Sequence, residues 1–448
     1  MSKPSYALDI ASTWVDNFAK ALASGEIRQR RGYVHLLPDA QGVWKALSVF
    51  MMLDELYGHP EDGPELGLYG EHTLAWEELV LVKAGLTLAA RFRQMGLPTL
   101  VVESNQRVGD NWRARYPTLT LHTPRSHYNF LYHPYPSNWP IFASRDKVAN
   151  WMEHYAINQD SARVDKLSAY WYSHDAPTTL HPTHIVCATG ILGAPRIPAI
   201  EDRDVFMGTV LHAEKYGGGK SYKGKRVIVI GAGNTSADIC QDLVVQGAES
   251  VTMVQRSSTC VVGHTGCTNA LLSLWPEGVP SEISDFKFLS IPMPLRIKMA
   301  SAHAVEMAEA EREMHEGLRK AGLDINMGED GSGQFPMVFQ RFGGYWIDVG
   351  CAELIISGRV KVKQGVELQR YLSDGVVFTD GSKLDADVVI YATGYHNIRD
   401  TLKDVFGEAI TERTGPIWGL DEEGELNGCF KPSGHPGFTL LLALVWWW

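Results

Sequence analysis

The stretch "RVIVIGAGNTSADICQDLVVQG", residues 226–247, constrains this chain more than any other. A continuous apolar run reads as a strand buried on both faces, a glycine-rich turn follows at once, and an apolar-periodic segment then ends at a glycine. Gly231, Gly233 and Ser236 occupy the three positions of a dinucleotide-binding fingerprint, with Asn234 inside the turn. The first glycine permits the tight turn, and the second lets the main chain approach a pyrophosphate. The helix start offers unpaired amides and a favourable dipole to the anion. Ser236 replaces the third glycine, a packing position where a small residue serves. The predicted fold class is therefore α/β, built on Rossmann-like dinucleotide-binding units.

The next predicted strand, "SVTMV", runs into Gln255, Arg256, Ser257 and Ser258. An NAD site places Asp or Glu there against the ribose hydroxyls. Arg256 with the two hydroxyls of Ser257 and Ser258 suits a 2'-phosphate instead, so NADPH is the expected nucleotide. The competing reading of Arg256 is a solvated cation at a strand end.

A second unit precedes this one. "EELVLVKAGLTLAARF", Glu77 to Phe92, reads as a buried strand passing into an amphipathic helix where a phosphate loop is expected. Only Gly85 is present, and Lys83 and Ala84 stand where the loop should be. Glu103 closes the predicted strand "PTLVVE" 18 residues after Gly85, about where a Rossmann acid meets ribose. The spacing predicts a nucleotide site short of its first two glycines. Residues 76–204 carry this unit, 205–380 carry the second, and the buried strand in "DADVVIYATGY" is expected to rejoin the first, giving it 381–448. Residues 1–75 read as an irregular, degenerate extension, with helical spacing only in "ASTWVDNFAKALAS".

Composition narrows the function classes. With 448 residues, 45% hydrophobic and 21% charged, the chain can bury a large core, and a net charge of -11 disfavours a nucleic-acid partner. The six cysteines form no CxxC pair and no zinc spacing, so no metal is expected, and a reduced, cytoplasmic setting without a membrane span is the expectation. A flavin disulfide reductase needs a cysteine pair near the first helix, yet Cys187 is the first cysteine.

The segment "FMGTVLHAEKY" resembles the flavin-containing monooxygenase signature FxGxxxHxxx(Y/F), at Phe206, Gly208, His212 and Tyr216. Related Baeyer-Villiger enzymes end that signature with Trp, so Tyr216 favours the N- and S-oxygenating and plant auxin-type branches. "VCATG", with Thr189 and Gly190, and "IYATGY", with Thr393 and Gly394, resemble the family's linker strands, and Gly109 and Trp112 resemble its Gly-x-x-Trp flavin segment. The resemblance covers about 76–436 and lies with the class B flavoprotein monooxygenases, including the YUCCA type. It implies FAD and NADPH as cofactors and O2 with a small organic molecule as substrates. The implied reaction inserts one oxygen atom, as in N- or S-oxygenation, through a C4a-hydroperoxyflavin.

By the same resemblance His122 lies near flavin and nicotinamide as the candidate catalytic residue, its alternative being a hydrogen-bonded structural histidine. His212 is expected to anchor the linker between units, and the aromatic loop 128–142 either lines the substrate path or packs. The chain departs from the family at the first fingerprint and at its end, "LLLALVWWW". The alternative function is therefore an NADP-binding relative with poor flavin binding and no turnover.

Overall fold

Five parallel strands form the main sheet, in the order Val360–Gln364, Ser250–Gln255, Arg226–Ile230, Val388–Tyr391 and Thr209–His212. They belong to a computed structural model that describes residues 27–38, 44–56, 83–103, 105–127, 129–159, 180–428 and 432–440. Parallel strands need covered faces, and both are covered here. On one side Ile239, Cys240 and Leu243 of the helix Asn234–Val245 pack with Cys351, Ala352 and Ile355 of the helix Cys351–Ile356. On the other, Leu368, Tyr371, Val376 and Phe378 of a three-stranded antiparallel sheet (Leu368–Tyr371, Gly375–Phe378, Lys383–Asp385) pack onto Ile228, Val254 and Val389. The apolar runs 227–230 and 388–391 are explained by this double cover.

The strand Val388–Tyr391 lies between Arg226–Ile230 and Thr209–His212, inside this sheet. It does not rejoin the first unit, as the sequence reading had it. Parallel pairing is non-local, so the alternatives read identically along the chain. What rejoins the first unit is Phe438–Leu440, paired in parallel with Ile185–Cys187.

The first unit has its own core. Leu86 and Ala90 of the helix Lys83–Gln94 meet Val148, Met152, Tyr155 and Ala156 of the helix Arg145–Asn158, with Val108, Leu121 and Phe130. Residues 98–103 join no ladder among the described residues, contrary to the strand expected there. Val102 is 65% exposed, which a strand of a doubly covered sheet could not be. The expected strand at 77–82, the helix at 11–24 and the end beyond 440 lie outside the described residues.

A second correction falls in the amino-terminal zone. Ile27–Pro38 and Trp44–Leu56 form a long antiparallel pair rather than an irregular extension. Antiparallel strands adjacent in sequence find each other across a short connection, and Ile27, Tyr33, Val34, Val49 and Phe50 in these runs favour a pleated surface. No helix among the described residues is long and apolar enough to cross a membrane.

Candidate functional site

The strand Arg226–Ile230 delivers the chain into a turn that only glycine can make. Gly231 has φ +127°, and a Cβ there would strike the Ala392 carbonyl and lie 2.9 Å from the Ser236 hydroxyl. Ser236 is fully buried behind this turn, with no hydrogen-bond partner for its hydroxyl among the described residues. It fills the packing position expected of it and does not face a ligand. Gly233 is the N-cap of the helix Asn234–Val245 and supplies no side-chain cap. A Cβ on Gly233 would find nothing nearer than the Tyr345 carbonyl at 3.7 Å. Gly233, Asn234 and Thr235 line a cavity, so the uncapped helix start borders it, an arrangement that suits an anion. Asn234 is occupied elsewhere, its Oδ1 accepting from the Ile347 amide at 2.9 Å.

The next strand, Ser250–Gln255, ends beside the cavity. Gln255 is buried as a brace, its Nε2 donating to the Asp324 carbonyl at 2.7 Å and its Oε1 accepting from the Asp324 amide at 2.8 Å. Arg256 projects, 76% exposed, with Glu367 at 3.4 Å. An exposed pair at that distance holds a guanidinium weakly. Ser258 accepts from Asn326 at 2.9 Å, while Ser257 lines the open cavity beside Arg256.

That cavity, about 1160 Å³, brings together Gly231, Gly233, Asn234, Arg256 and Ser257 with Trp112, His122, His212, Thr393 and Gly394. Loss of hydration inside the fold pushes the His122 imidazole below its ordinary value, against the opposing pull of Asp238. It is neutral at pH 7. His212 is also held low by burial, which outweighs the carbonyl of Gly394. Its Nδ1 accepts from the Glu214 amide at 3.2 Å, so Nε2 carries the proton and donates to the Gly394 carbonyl at 3.0 Å. Thr393 donates to the Arg196 carbonyl, and Gly394 takes φ +75°.

The signature segment is a set of braces. Phe206 is buried against Tyr371 at 5.3 Å, and a Cβ on Gly208 would meet the Asp387 carbonyl and the Phe206 ring. The Tyr216 hydroxyl donates to buried Asp242 at 2.8 Å, which also accepts from the Gly219 amide at 2.7 Å. Phe206 and Gly208 do not line the cavity; His212 does.

On the first unit's side the geometry is different. Gly85 sits in the first turn of the helix Lys83–Gln94, its Cβ position 3.6 Å from the Ala188 Cβ, an ordinary contact. Lys83 and Ala84 are helical, so among the described residues no glycine-rich turn precedes Gly85. Glu103 is consumed locally, its Oε1 accepting from the amide of Asn105 at 2.9 Å and from the Asn105 side chain. Gly109 takes φ +85°, and a Cβ there would run into Ala149 of the helix Arg145–Asn158, which accounts for that glycine by packing. Gly85, Glu103, Gly109, Thr189 and Gly190 lie outside the cavity lining; Trp112 and His122 reach it.

Two features escaped the sequence reading. The Tyr116 hydroxyl donates to Asp238 at 2.5 Å, tying the first unit's loop to the nucleotide helix. The second is an aromatic chamber wall: half-buried Phe335, Phe342 and Trp418 line the cavity, while Trp275, Phe288 and Phe339 next to them are buried in the core. The aromatic loop does not contribute: Phe130, Tyr135 and Trp139 pack with Tyr155 and Trp151, so packing is its job. Only the fingerprint helix carries a sequence signal for Asp238, and the chamber has none.

Comparison with known proteins gives the following. A family model described as pyridine nucleotide-disulphide oxidoreductase matches residues 162–275. The described cysteines, Cys187, Cys240, Cys260, Cys267 and Cys351, are all free. The chain is similar to the indole-3-pyruvate monooxygenase YUCCA1 of Oryza sativa subsp. japonica, 28% identical over 335 residues, 72% of this chain and 77% of the relative. It is 27% identical to the probable indole-3-pyruvate monooxygenase YUCCA4 of Arabidopsis thaliana, over 72% and 75% of the two chains. Among solved structures it is similar to an open form of cyclohexanone monooxygenase, at 17% identity, TM-score 0.49, and 77% and 75% coverage. A flavin-containing monooxygenase from Stenotrophomonas maltophilia matches at 15% identity, TM-score 0.44, and 79% and 86% coverage.

Proposed function

We propose that this chain, whose sequence kinship lies with the class B flavin-containing monooxygenases, is an NADPH-dependent flavoprotein monooxygenase. Its nucleotide site is whole, and its flavin site is short of a phosphate loop. The observation that carries the reading is one cavity lined at once by Gly231, Gly233 and Arg256 of the nucleotide unit and by Trp112 and His122 of the other. A hydride donor and the group it reduces must share such a space.

NADPH fits the residues present. The turn at Gly231 and Gly233 with the uncapped helix would hold the pyrophosphate, and Arg256 with Ser257 would hold the 2'-phosphate by charge-assisted hydrogen bonds. Bound NADPH supplies hydride. His122, neutral at pH 7, would offer ring nitrogens to the ligands without bringing a buried charge. Tyr116, fixed on Asp238, would keep the two units in register across the cavity.

FAD fits less well. Lys83 and Ala84 are helical with no glycine-rich turn at Gly85, and Glu103 is spent on Asn105 and does not line the cavity. In this proposal residues 83–204 with 432–440 form the flavin unit, and 205–391 the NADPH unit, so that the strand at 388–391 stays with its sheet. The oxygenation, at a nitrogen or sulfur centre of a small molecule, requires that flavin be retained. The helical Lys83 and Ala84 in place of a glycine-rich turn favour the second reading, an NADPH-binding relative that retains flavin poorly and turns over little. Oxidation of NADPH under air, with and without added FAD and with a thioether such as thioanisole, separates the two. Oxygenated product on adding FAD supports the monooxygenase. NADPH binding without product at any FAD concentration supports the second reading, and absence of NADPH binding refutes both.

A further inference from the structure

Four arginines line the cavity, Arg115, Arg196, Arg256 and Arg341, against two carboxylates, Asp238 and Glu367. Both carboxylates are engaged, Asp238 by the Tyr116 hydroxyl at 2.5 Å and Glu367 by Arg256 at 3.4 Å. The chain as a whole carries a net charge of -11, so this lining runs against the composition and suits an anion.

Arg115 differs from the other three. It comes from the first unit, it is half-buried, and its guanidinium has no hydrogen bond or ion pair among the described residues. Arg196, by contrast, is exposed and donates to the Tyr395 carbonyl at 3.4 Å. A charge that loses hydration without a partner is costly, and partly buried charges are ordinarily paired.

The guanidinium hangs from a fixed base. The Arg115 amide donates to the Trp112 carbonyl at 2.9 Å, its carbonyl accepts from Arg145, and Tyr116 beside it is tied to Asp238. What stays free is the planar fork, whose donors match phosphate oxygens in pairs.

The neighbours of that fork place it. Its charge bears on the hydroxyls of Tyr116 and Tyr395, opposing the rise that burial imposes on each, and both tyrosines line the cavity. Asp238, the anchor of Tyr116, sits about one helical turn, ~6 Å along the axis, inside Asn234, the residue that follows the N-cap Gly233. Arg115 therefore overhangs the helix start into which Gly231 and Gly233 lead, while Arg256 stands at the end of the next strand. Two cations from different units face one nucleotide-binding turn.

We propose that Arg115 is a clamp between the units: it binds the diphosphate bridge of NADPH from the side opposite the fingerprint amides and draws the first unit onto the nucleotide carried by the second. The assignment rests on the NADPH reading, with the 2'-phosphate left to Arg256. FAD carries the same diphosphate chemistry, and the test separates the two sources.

The test is calorimetric titration of the full chain with NADP+, with FAD, and with adenosine 2'-monophosphate, which has the 2'-phosphate but no diphosphate. Arg115→Ala should weaken NADP+ about tenfold or more and leave adenosine 2'-monophosphate within about twofold. Arg256→Ala should weaken both. Arg115→Lys, which keeps the charge without the fork, should fall between Arg115→Ala and the parent for NADP+, and it serves if Arg115→Ala does not fold. Unchanged NADP+ affinity in Arg115→Ala would overturn the proposal. So would an equal loss for both adenosine ligands, which marks a merely structural role, or a loss confined to FAD. A parent chain that binds neither NADP+ nor adenosine 2'-monophosphate would overturn the NADPH reading itself, an outcome read before any variant is made.

Discussion

Gly231 and Gly85 both stand at the junction of a fingerprint segment and a helix, and they could hardly be more different in what holds them. Gly231 is enforced by backbone geometry and by a carbonyl against its missing side chain. Gly85 lies in a regular helix with ordinary room around it. The same residue type is a steric necessity in one unit and has room for a side chain in the other. A fingerprint is therefore worth as much as the strain its glycines relieve, and that is visible only after the chain is folded.

Substitutions should separate the two units in order of size. Gly231→Ala forces a Cβ into a carbonyl at a φ that alanine rarely adopts, so it should cost about 3 kcal/mol or more of stability and remove NADPH binding. Thermal unfolding and nucleotide titration of the same sample check it; a variant as stable as the parent would show that the turn is not strained. Arg256→Ala should weaken NADPH by about 1.5 to 3 kcal/mol and spare NADH, because only the phosphorylated nucleotide loses a charge-assisted contact. Equal loss for both would end the 2'-phosphate assignment.

The buried imidazole of His212 should show itself through pH. His212 has a folded pKa below its ordinary value of 6.5, so the unfolded chain takes up the proton more readily. Its contribution therefore destabilises the fold as pH falls below 6.5 and vanishes above it. His122 contributes in the same direction. His212→Gln, which retains a donor for the Gly394 carbonyl, should flatten the loss of stability between pH 6.5 and 5, measured by denaturant unfolding at several pH values. An unchanged slope would place the titration elsewhere. Smallest of all, Gly85→Ala should stabilise the chain by about 0.5 kcal/mol through helix propensity and leave nucleotide binding untouched. A large loss there would mean that Gly85 serves a ligand after all.

What could be read from sequence follows the range of the forces involved. The strand, turn and helix around Gly231 are specified by neighbours in the chain, and 226–247 folds as its pattern reads. The place of Val388–Tyr391 is specified by partners more than 150 residues away at Arg226–Ile230, and periodicity carries no trace of them. "PTLVVE" has a strand's composition, yet a strand exists only where a partner offers a ladder, and among the described residues none does. Of the site, Gly231, Gly233, Arg256, Ser257, Trp112 and His122 were legible and meet at one cavity. Phe206, Gly208 and Gly109 were legible as special positions, but packing against Tyr371, Asp387 and Ala149 accounts for them. The aromatic chamber was invisible because its rings come from separated segments that only the fold assembles.

The contrast between the two units stands or falls on one measurement: bound flavin per chain in the protein as isolated, by its visible absorbance, beside the stoichiometry of NADPH binding in the same preparation. The account predicts one NADPH per chain with flavin far below one. It also predicts that inserting a full glycine-rich loop between Val82 and Leu86 raises flavin without changing NADPH. One tightly held flavin per chain in the unaltered protein would contradict it and make the helix that begins at Lys83 a working form of the site.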